Sequence, residues 1–91
     1  MKITILLWGQ LKSLAEVDSL ALEVPEPHTI EHAVDTLVRA NAALKPLLVD
    51  ENDRPQQSIV IFADGVQVIS REETPLSEGM ELTLMSPISG G

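Results

Sequence analysis

The chain has 91 residues, 44% of them hydrophobic and 22% charged, which fits a single globular domain with one modest core. Fourteen acidic residues against six basic ones give a net charge of −8, which opposes nonspecific binding to nucleic acid or to an anionic membrane and either favours basic protein partners or serves solubility alone. The sequence has no cysteine, which excludes disulfides and thiol chemistry, and it has no signal-peptide pattern and no apolar run near the ~18 residues of a membrane span, so we expect a cytoplasmic protein.

The first third of the chain predicts two strands joined by a short connection. Lys2–Trp8 is apolar on both faces, which is typical of a central strand. Residues 9–19 form the connection and contain enough apolar residues for one helical turn. Leu20–Val24 alternates between apolar and other side chains, and Pro25 and Pro27 end this second strand.

A helix is predicted next. Thr29 is a suitable N-cap, and the helix should end near Asn41. Its apolar stripe, at the spacing of one helix face, consists of Ile30, Val34, Leu37 and Val38. Residues 42–49, around Pro46, predict a short second helix or an irregular packing segment, and residues 50–57 predict a surface loop.

The strongest local signal is a hairpin. Asp64 and Gly65 stand between two apolar runs, 58–63 and 66–68, and the Asp-Gly pair favours a tight type I′ turn. A last strand is predicted at Met80–Met85, where apolar and polar residues alternate.

This order of elements predicts an α+β fold of the β-grasp type, as in ubiquitin. It would have a mixed sheet of four to five strands and one main helix packed on one face of that sheet. The right-handed crossover rule would place the last strand parallel to the first if both lie centrally in the sheet. We expect residues 1–85 to form this domain and residues 86–91 to form a flexible C-terminal tail.

The tail is the candidate working part of the protein. It reads Ser-Pro-Ile-Ser-Gly-Gly and closes on Gly90 and Gly91. Six extended residues reach about 20 Å, enough to enter a deep pocket, and glycine lets a backbone pass through a narrow channel. Pro87 stiffens the base of the tail. The alternative is that the two glycines have no function and are simply a frayed chain end.

The sequence resembles the ubiquitin-like sulfur carriers of the MoaD/ThiS type over essentially its whole length. The resemblance is carried by the opening strand and loop of Met1–Leu14, by the hairpin IVIFADGVQV, by the segment TPLSEGMELTLM and by the tail SPISGG. It is greatest to the small, sulfur-carrying subunit of molybdopterin synthase. Ser86 is a departure from that branch, because the synthase subunit typically has two prolines where this chain has Ser86 and Pro87.

The resemblance implies a function for Gly91. An adenylyltransferase of the ubiquitin-activating type would use ATP to adenylate the Gly91 carboxylate, and a sulfur donor would convert the adenylate to a thiocarboxylate. Gly90 would allow the tail to pass into the partner's active site. The carrier itself would bind no cofactor and have no intrinsic active site, so it would act as a co-substrate or as the small subunit of a synthase, alongside a large synthase subunit or another sulfur-acceptor enzyme.

Partner binding is expected on the face of the sheet opposite the helix. The residues predicted to point there are Leu6, Trp8, Ile61 and Met85, joined by Pro87 and Ile88 of the tail. The residues predicted to face the helix are Ile3, Ile5, Val60, Phe62, Leu82 and Leu84. Exposed apolar patches commonly mark partner surfaces, and tryptophan is a frequent interface anchor. Trp8 either anchors that interface or simply covers the sheet edge.

Several alternatives stay open. The final sulfur acceptor could be the molybdopterin precursor, which we favour, or the thiazole of thiamine, cysteine or a tRNA base. Gly91 could instead end in an isopeptide bond, as in a ubiquitin-like protein modifier, or the domain could be an interaction module with incidental glycines. The run His28 to His32 matches H-x-x-E-H, but His28 precedes the predicted N-cap, so we expect no metal site.

Overall fold

The computed structural model describes residues 1–52, 56, 58–69 and 74–86. Its strands and helices, in chain order, are β1 (Lys2–Trp8), α1 (Gln10–Ala15), β2 (Ser19–Glu23), α2 (Ile30–Ala40), a 3₁₀ turn (Ala42–Leu44), α3 (Lys45–Leu48), β3 (Val60–Ala63), β4 (Val66–Gln67) and β5 (Glu81–Met85). Each predicted element is present within two residues of its expected bounds. The predicted loop at 50–57 lies partly outside the described residues.

The strands form one mixed sheet in the order β2-β1-β5-β3-β4. β1 and β5 lie at its centre and run parallel, as the crossover rule predicts, whereas the other pairs are antiparallel. β1 buries Ile3, Ile5 and Leu7 on one face, whereas the side chains that alternate with them are half-buried or exposed on the other.

The main helix, α2, begins where its capping residue predicts. Thr29 has an extended backbone, and its Oγ1 accepts a hydrogen bond of 3.2 Å from the His32 amide. The apolar stripe of α2 then packs on one face of the sheet, and its buried residues are Ile30, Ala33, Val34 and Leu37. Val38, at the end of the predicted stripe, is only half-buried at the periphery of the core.

The hairpin between β3 and β4 has the predicted turn. Asp64 and Gly65 both have positive φ angles, 49° and 85°, as a type I′ turn requires. Asp64 also ties the turn to β5: its amide donates to the Glu81 carbonyl at 2.8 Å, and its Oδ1 accepts from the Glu81 amide at 2.9 Å. The hairpin is therefore held in place by side-chain as well as ladder hydrogen bonds.

The predicted facing of β3 is wrong by one residue. Ile61 is 1% exposed and lies in the core, whereas Val60 and Phe62 are half-buried on the other face. The reason is the register, which pairs Ile61 with Leu84, and residues directly opposite each other in a sheet share a face. Since Leu84 faces α2, Ile61 must do so too.

Candidate docking face and tail root

One face of the sheet points away from α2 and carries apolar side chains. In one row across the strands, Trp8 pairs with Met85 and Met85 with Val60, and in the next row Leu6 and Phe62 flank a threonine. We call the five apolar side chains Leu6, Trp8, Val60, Phe62 and Met85 the outer face. Trp8 is the most open of them at 56% exposed, while the other four are half-buried.

The predicted facing is confirmed for three of the four body residues that the sequence assigned to the side of the sheet opposite the helix. Leu6, Trp8 and Met85 lie on the outer face, as predicted, and Ile61 does not. Val60 and Phe62, which we expected to face the helix, take its place. The burial of Ile61 removes it from any binding role, because a side chain that is 1% exposed cannot meet a partner.

A shallow depression of about 340 Å³ adjoins Trp8 at the end of β1. It is lined by Leu6, Leu7, Trp8, Lys12, Asp18 and Ser19. Its apolar wall is continuous with the outer face, and its rim carries one ammonium and one carboxylate. The depression is open to solvent beside the Trp8 side chain.

Ser86 follows β5 directly and is the last residue that the structure describes. It was expected to begin the tail, yet it is only 8% exposed, so the packed body extends to this residue. Its Oγ accepts a hydrogen bond of 3.2 Å from the Gln10 amide, at the first position of α1. Sequence reasoning missed this contact because its two partners lie 76 residues apart.

The tail residues to which the sequence assigns function lie outside the described residues. These are Pro87, Ile88, Gly90 and Gly91. What the structure adds is the position of their attachment: Ser86 is held at the end of the sheet where β1 and β5 both finish, one residue beyond Met85 of the outer face.

The titratable side chains in the described part of the chain form no metal-binding cluster. No group of three or more histidine, aspartate or glutamate side chains is placed to hold a metal ion there, and His28 lies before the N-cap of α2, as expected. The Met1 ammonium, 2.7 Å from a Glu23 carboxylate oxygen, lowers the pKa of that exposed carboxyl. Within the described ranges no helix is long and apolar enough to cross a bilayer.

The mixed five-stranded sheet, the single main helix on one face and the parallel central pair define a ubiquitin-like β-grasp domain. A sequence model of the ThiS family matches residues 5–91, and the chain therefore belongs to the ThiS family. A search of curated proteins finds no significant match to the sequence.

Solved structures share this fold. SAMP1 from Haloferax volcanii has a TM-score of 0.88 and 24% sequence identity, with all of both chains covered. A putative molybdopterin converting factor subunit 1 from Pyrococcus furiosus has a TM-score of 0.76 and 20% identity, over 97% of this chain and 99% of that one. A third structure is the complex of subunits 1 and 2 of the molybdopterin-converting factor from Helicobacter pylori; its matching chain has a TM-score of 0.64 and 16% identity, with both chains fully covered. These three likenesses, all below 25% identity, agree with the ubiquitin-like β-grasp fold of the chain.

Proposed function

We propose that this protein is a sulfur carrier whose Gly91 carboxylate is adenylated by an activating enzyme and then converted to a thiocarboxylate. The observation that supports the proposal is the position of the tail's attachment point relative to the outer face. The exposed apolar outer face and the attachment point of the Gly-Gly sequence lie at the same end of the sheet, beside Trp8 and Ser86. A partner that docks on this face therefore meets the root of the tail as well.

The chemistry explains why a tail is needed. A carboxylate is a poor electrophile; attack of a Gly91 oxygen on the α-phosphorus of ATP releases pyrophosphate and leaves an acyl-adenylate. A donor of a hydrosulfide equivalent then attacks the carbonyl carbon and displaces AMP. The product is a thiocarboxylate whose sulfur is nucleophilic. ATP and the sulfur donor are handled by the partner, an adenylyltransferase of the ubiquitin-activating type, and this chain contributes only the acyl group and the docking surface.

The body of the domain and the C-terminal tail have separate roles in this proposal, docking and delivery of the terminus. Residues 1–85, with Ser86 added by its burial, form the docking unit. The five residues that follow, 87–91, span at most ~18 Å when extended, which suits delivery of a terminus into a buried active site. The outer face supplies recognition because apolar side chains that are exposed together at a sheet surface gain free energy when a partner covers them.

The sulfur acceptor we favour is the molybdopterin precursor, held by a large synthase subunit. Support comes from the fold shared with molybdopterin converting factor subunit 1 from Pyrococcus furiosus, and from the Helicobacter pylori structure, in which subunits 1 and 2 form a complex. Carriers for thiamine thiazole, cysteine or tRNA thiolation would use the same tail. We assign all of this chemistry to the cytoplasm.

A second candidate is conjugation to other proteins. The observation that favours it is the match to SAMP1, a small archaeal modifier protein, over all of both chains. The two functions share the adenylate and differ in the nucleophile that attacks it: sulfur for a carrier, the amine of a lysine for a modifier.

The test is an intact mass measurement after incubation with ATP, the activating enzyme and a sulfur donor. The full chain should gain the mass difference between sulfur and oxygen, and a variant lacking Gly90 and Gly91 should not. Trp8→Ala, which keeps the tail, should gain sulfur more slowly. Addition of a lysine-containing acceptor protein distinguishes the second candidate, since conjugation joins the two masses with loss of water. If an enzyme that activates another carrier leaves the full chain unchanged, the proposed function is wrong for that partner.

A further inference from the structure

We propose that Ser86 is a positioning residue for the tail: its hydroxyl and the backbone at Gly9 and Gln10 form a joint that fixes where residues 87–91 leave the body. This inference rests on the proposed function, because it concerns the delivery of Gly91. We call the three residues Gly9, Gln10 and Ser86 the root joint.

The first observation is that Ser86 is the sole buried polar residue in the part of the chain that the structure describes. Burial of a hydroxyl is unfavourable unless it is hydrogen-bonded, and here the Ser86 Oγ accepts from the Gln10 amide at 3.2 Å. The amide in question would otherwise lack a partner, because it lies in the first turn of α1, where Gly9 offers no capping side chain. Each group thus satisfies the other.

The second observation is that Gly9 approaches Ser86 too closely to leave room for a side chain at position 9. Gly9 has a φ of +67°, and a Cβ built there would lie 3.1 Å from the Ser86 Oγ and 3.7 Å from its carbonyl oxygen. A side chain at position 9 would therefore press on the serine hydroxyl, and it would also strain the backbone. Glycine lets the loop after β1 approach Ser86 closely enough to hold it.

The third observation connects the joint to the outer face. Trp8 pairs with Met85 across the parallel strands, and the next residue of each strand, Gly9 and Ser86, belongs to the joint. The most exposed aromatic side chain and the root of the tail are therefore fixed to each other through adjacent residues. A partner that holds Trp8 finds the tail starting from one defined place.

A rigid root matters because the tail must reach an active site while the body is docked elsewhere. If Ser86 is freed, the tail samples more directions, and only a fraction of docked complexes places Gly91 correctly. Docking itself is unchanged, since Ser86 is not on the outer face. The expected signature is a lower kcat with an unaltered KM, whereas loss of an interface anchor raises KM.

The experiment measures ATP–pyrophosphate exchange by the activating enzyme with the full-length chain as its substrate. Ser86→Ala should lower kcat about tenfold, the factor that corresponds to freeing the backbone of one residue, with KM changed less than about twofold. Gly9→Ala, which disturbs the joint from the other side, should give the same pattern. Trp8→Ala should instead raise KM.

A matched control separates positioning from simple destabilisation. Ile30→Val removes one methylene group at the buried first residue of α2, which is not part of the root joint, and should lose a comparable amount of stability. Its kcat and KM should equal those of the wild type. If Ile30→Val lowers kcat as much as Ser86→Ala does, the effect is one of stability, and the proposal is overturned.

Measurements on the free protein test the joint without any partner. In Ser86→Ala the exchange of the Gln10 amide with solvent should accelerate about fivefold, because its hydrogen bond is lost. The ¹⁵N relaxation of the Ile88 amide should show greater motion than in the wild type. Unchanged relaxation at Ile88, or an unchanged kcat, would overturn the proposal while leaving the sulfur-carrier function in place. A wild-type chain that is not adenylated at all would overturn both.

Discussion

The register of β3 can be tested with two adjacent alanine substitutions. Ile61 is 1% exposed and faces α2, whereas Val60 is half-buried on the outer face. Ile61→Ala should therefore destabilise the fold strongly and leave the affinity of the folded protein for a partner unchanged. Val60→Ala should do the reverse. The two changes differ by a single position in the chain, which makes each the control for the other.

The magnitudes follow from burial. Removing most of a buried isoleucine side chain costs about 2–5 kcal/mol, because apolar contacts are lost and a cavity remains. A domain of this size unfolds with a free energy of roughly 5–15 kcal/mol, and each kcal/mol lowers Tm by about 4–8 °C, so Ile61→Ala should lower Tm by about 8–40 °C. Solvent fills the space left by Val60→Ala, so its cost should be about 1 kcal/mol or less.

Urea denaturation followed by far-ultraviolet circular dichroism measures both free energies of unfolding. Trp8 fluorescence is the poorer probe, because the indole ring is already 56% exposed in the folded state. A loss for Val60→Ala that equals or exceeds the loss for Ile61→Ala would refute the register. The outer face would then have to be redrawn around Ile61.

Three further predictions concern the body of the domain. Asp64→Ala should cost about 1–2 kcal/mol, because it removes the hydrogen bond to the Glu81 amide and places alanine at φ 49°, whereas Asp64→Asn should be close to neutral; urea denaturation of the pair decides. Thr29→Ala should lower the free energy of unfolding by about 1 kcal/mol, because it removes the N-cap of α2. A Thr29→Ser control keeps the capping hydroxyl and should retain most of the wild-type stability. The Met1 ammonium depresses the pKa of Glu23 below its ordinary 4.5, so the stabilisation is present above that pH and is lost as the pH falls through the lowered pKa. Glu23→Gln should therefore be less stable than the wild type near neutral pH and lose that difference in acid, and a difference independent of pH would contradict the ion pair.

Local signals made most of the fold predictable. The Asp64-Gly65 turn and the Thr29 cap each depend on residues that are close in sequence, and the structure confirms both. The parallel pairing of β1 with β5 agrees with the orientation expected when both strands are placed at the centre of the sheet. These features need no knowledge of distant contacts.

The two errors have non-local causes. Val60, Ile61 and Phe62 are all apolar, so alternation could not show which of them faces the helix, and only the pairing of Ile61 with Leu84 fixes the phase. The burial of Ser86 depends on an amide 76 residues earlier in the chain. A serine followed by proline reads locally as the start of an irregular segment, and nothing nearby in sequence indicates a partner for its hydroxyl.

In the proposed function, the topology, more than the two glycines, couples docking of the body to delivery of Gly91. Because β1 and β5 are parallel neighbours, Trp8 and Met85 finish side by side, and Ser86, to which the tail is attached, follows Met85 directly. Had the two strands been antiparallel, the tail would leave from the end of the sheet opposite Trp8. A slip of one residue in the β1 register would turn Trp8 into the core and remove it from the outer face. A carrier and a modifier both need this arrangement up to formation of the adenylate. On this proposal, the choice between sulfur and amine is made by the partner that supplies the nucleophile, and the acceptor experiments with the full chain address that partner directly.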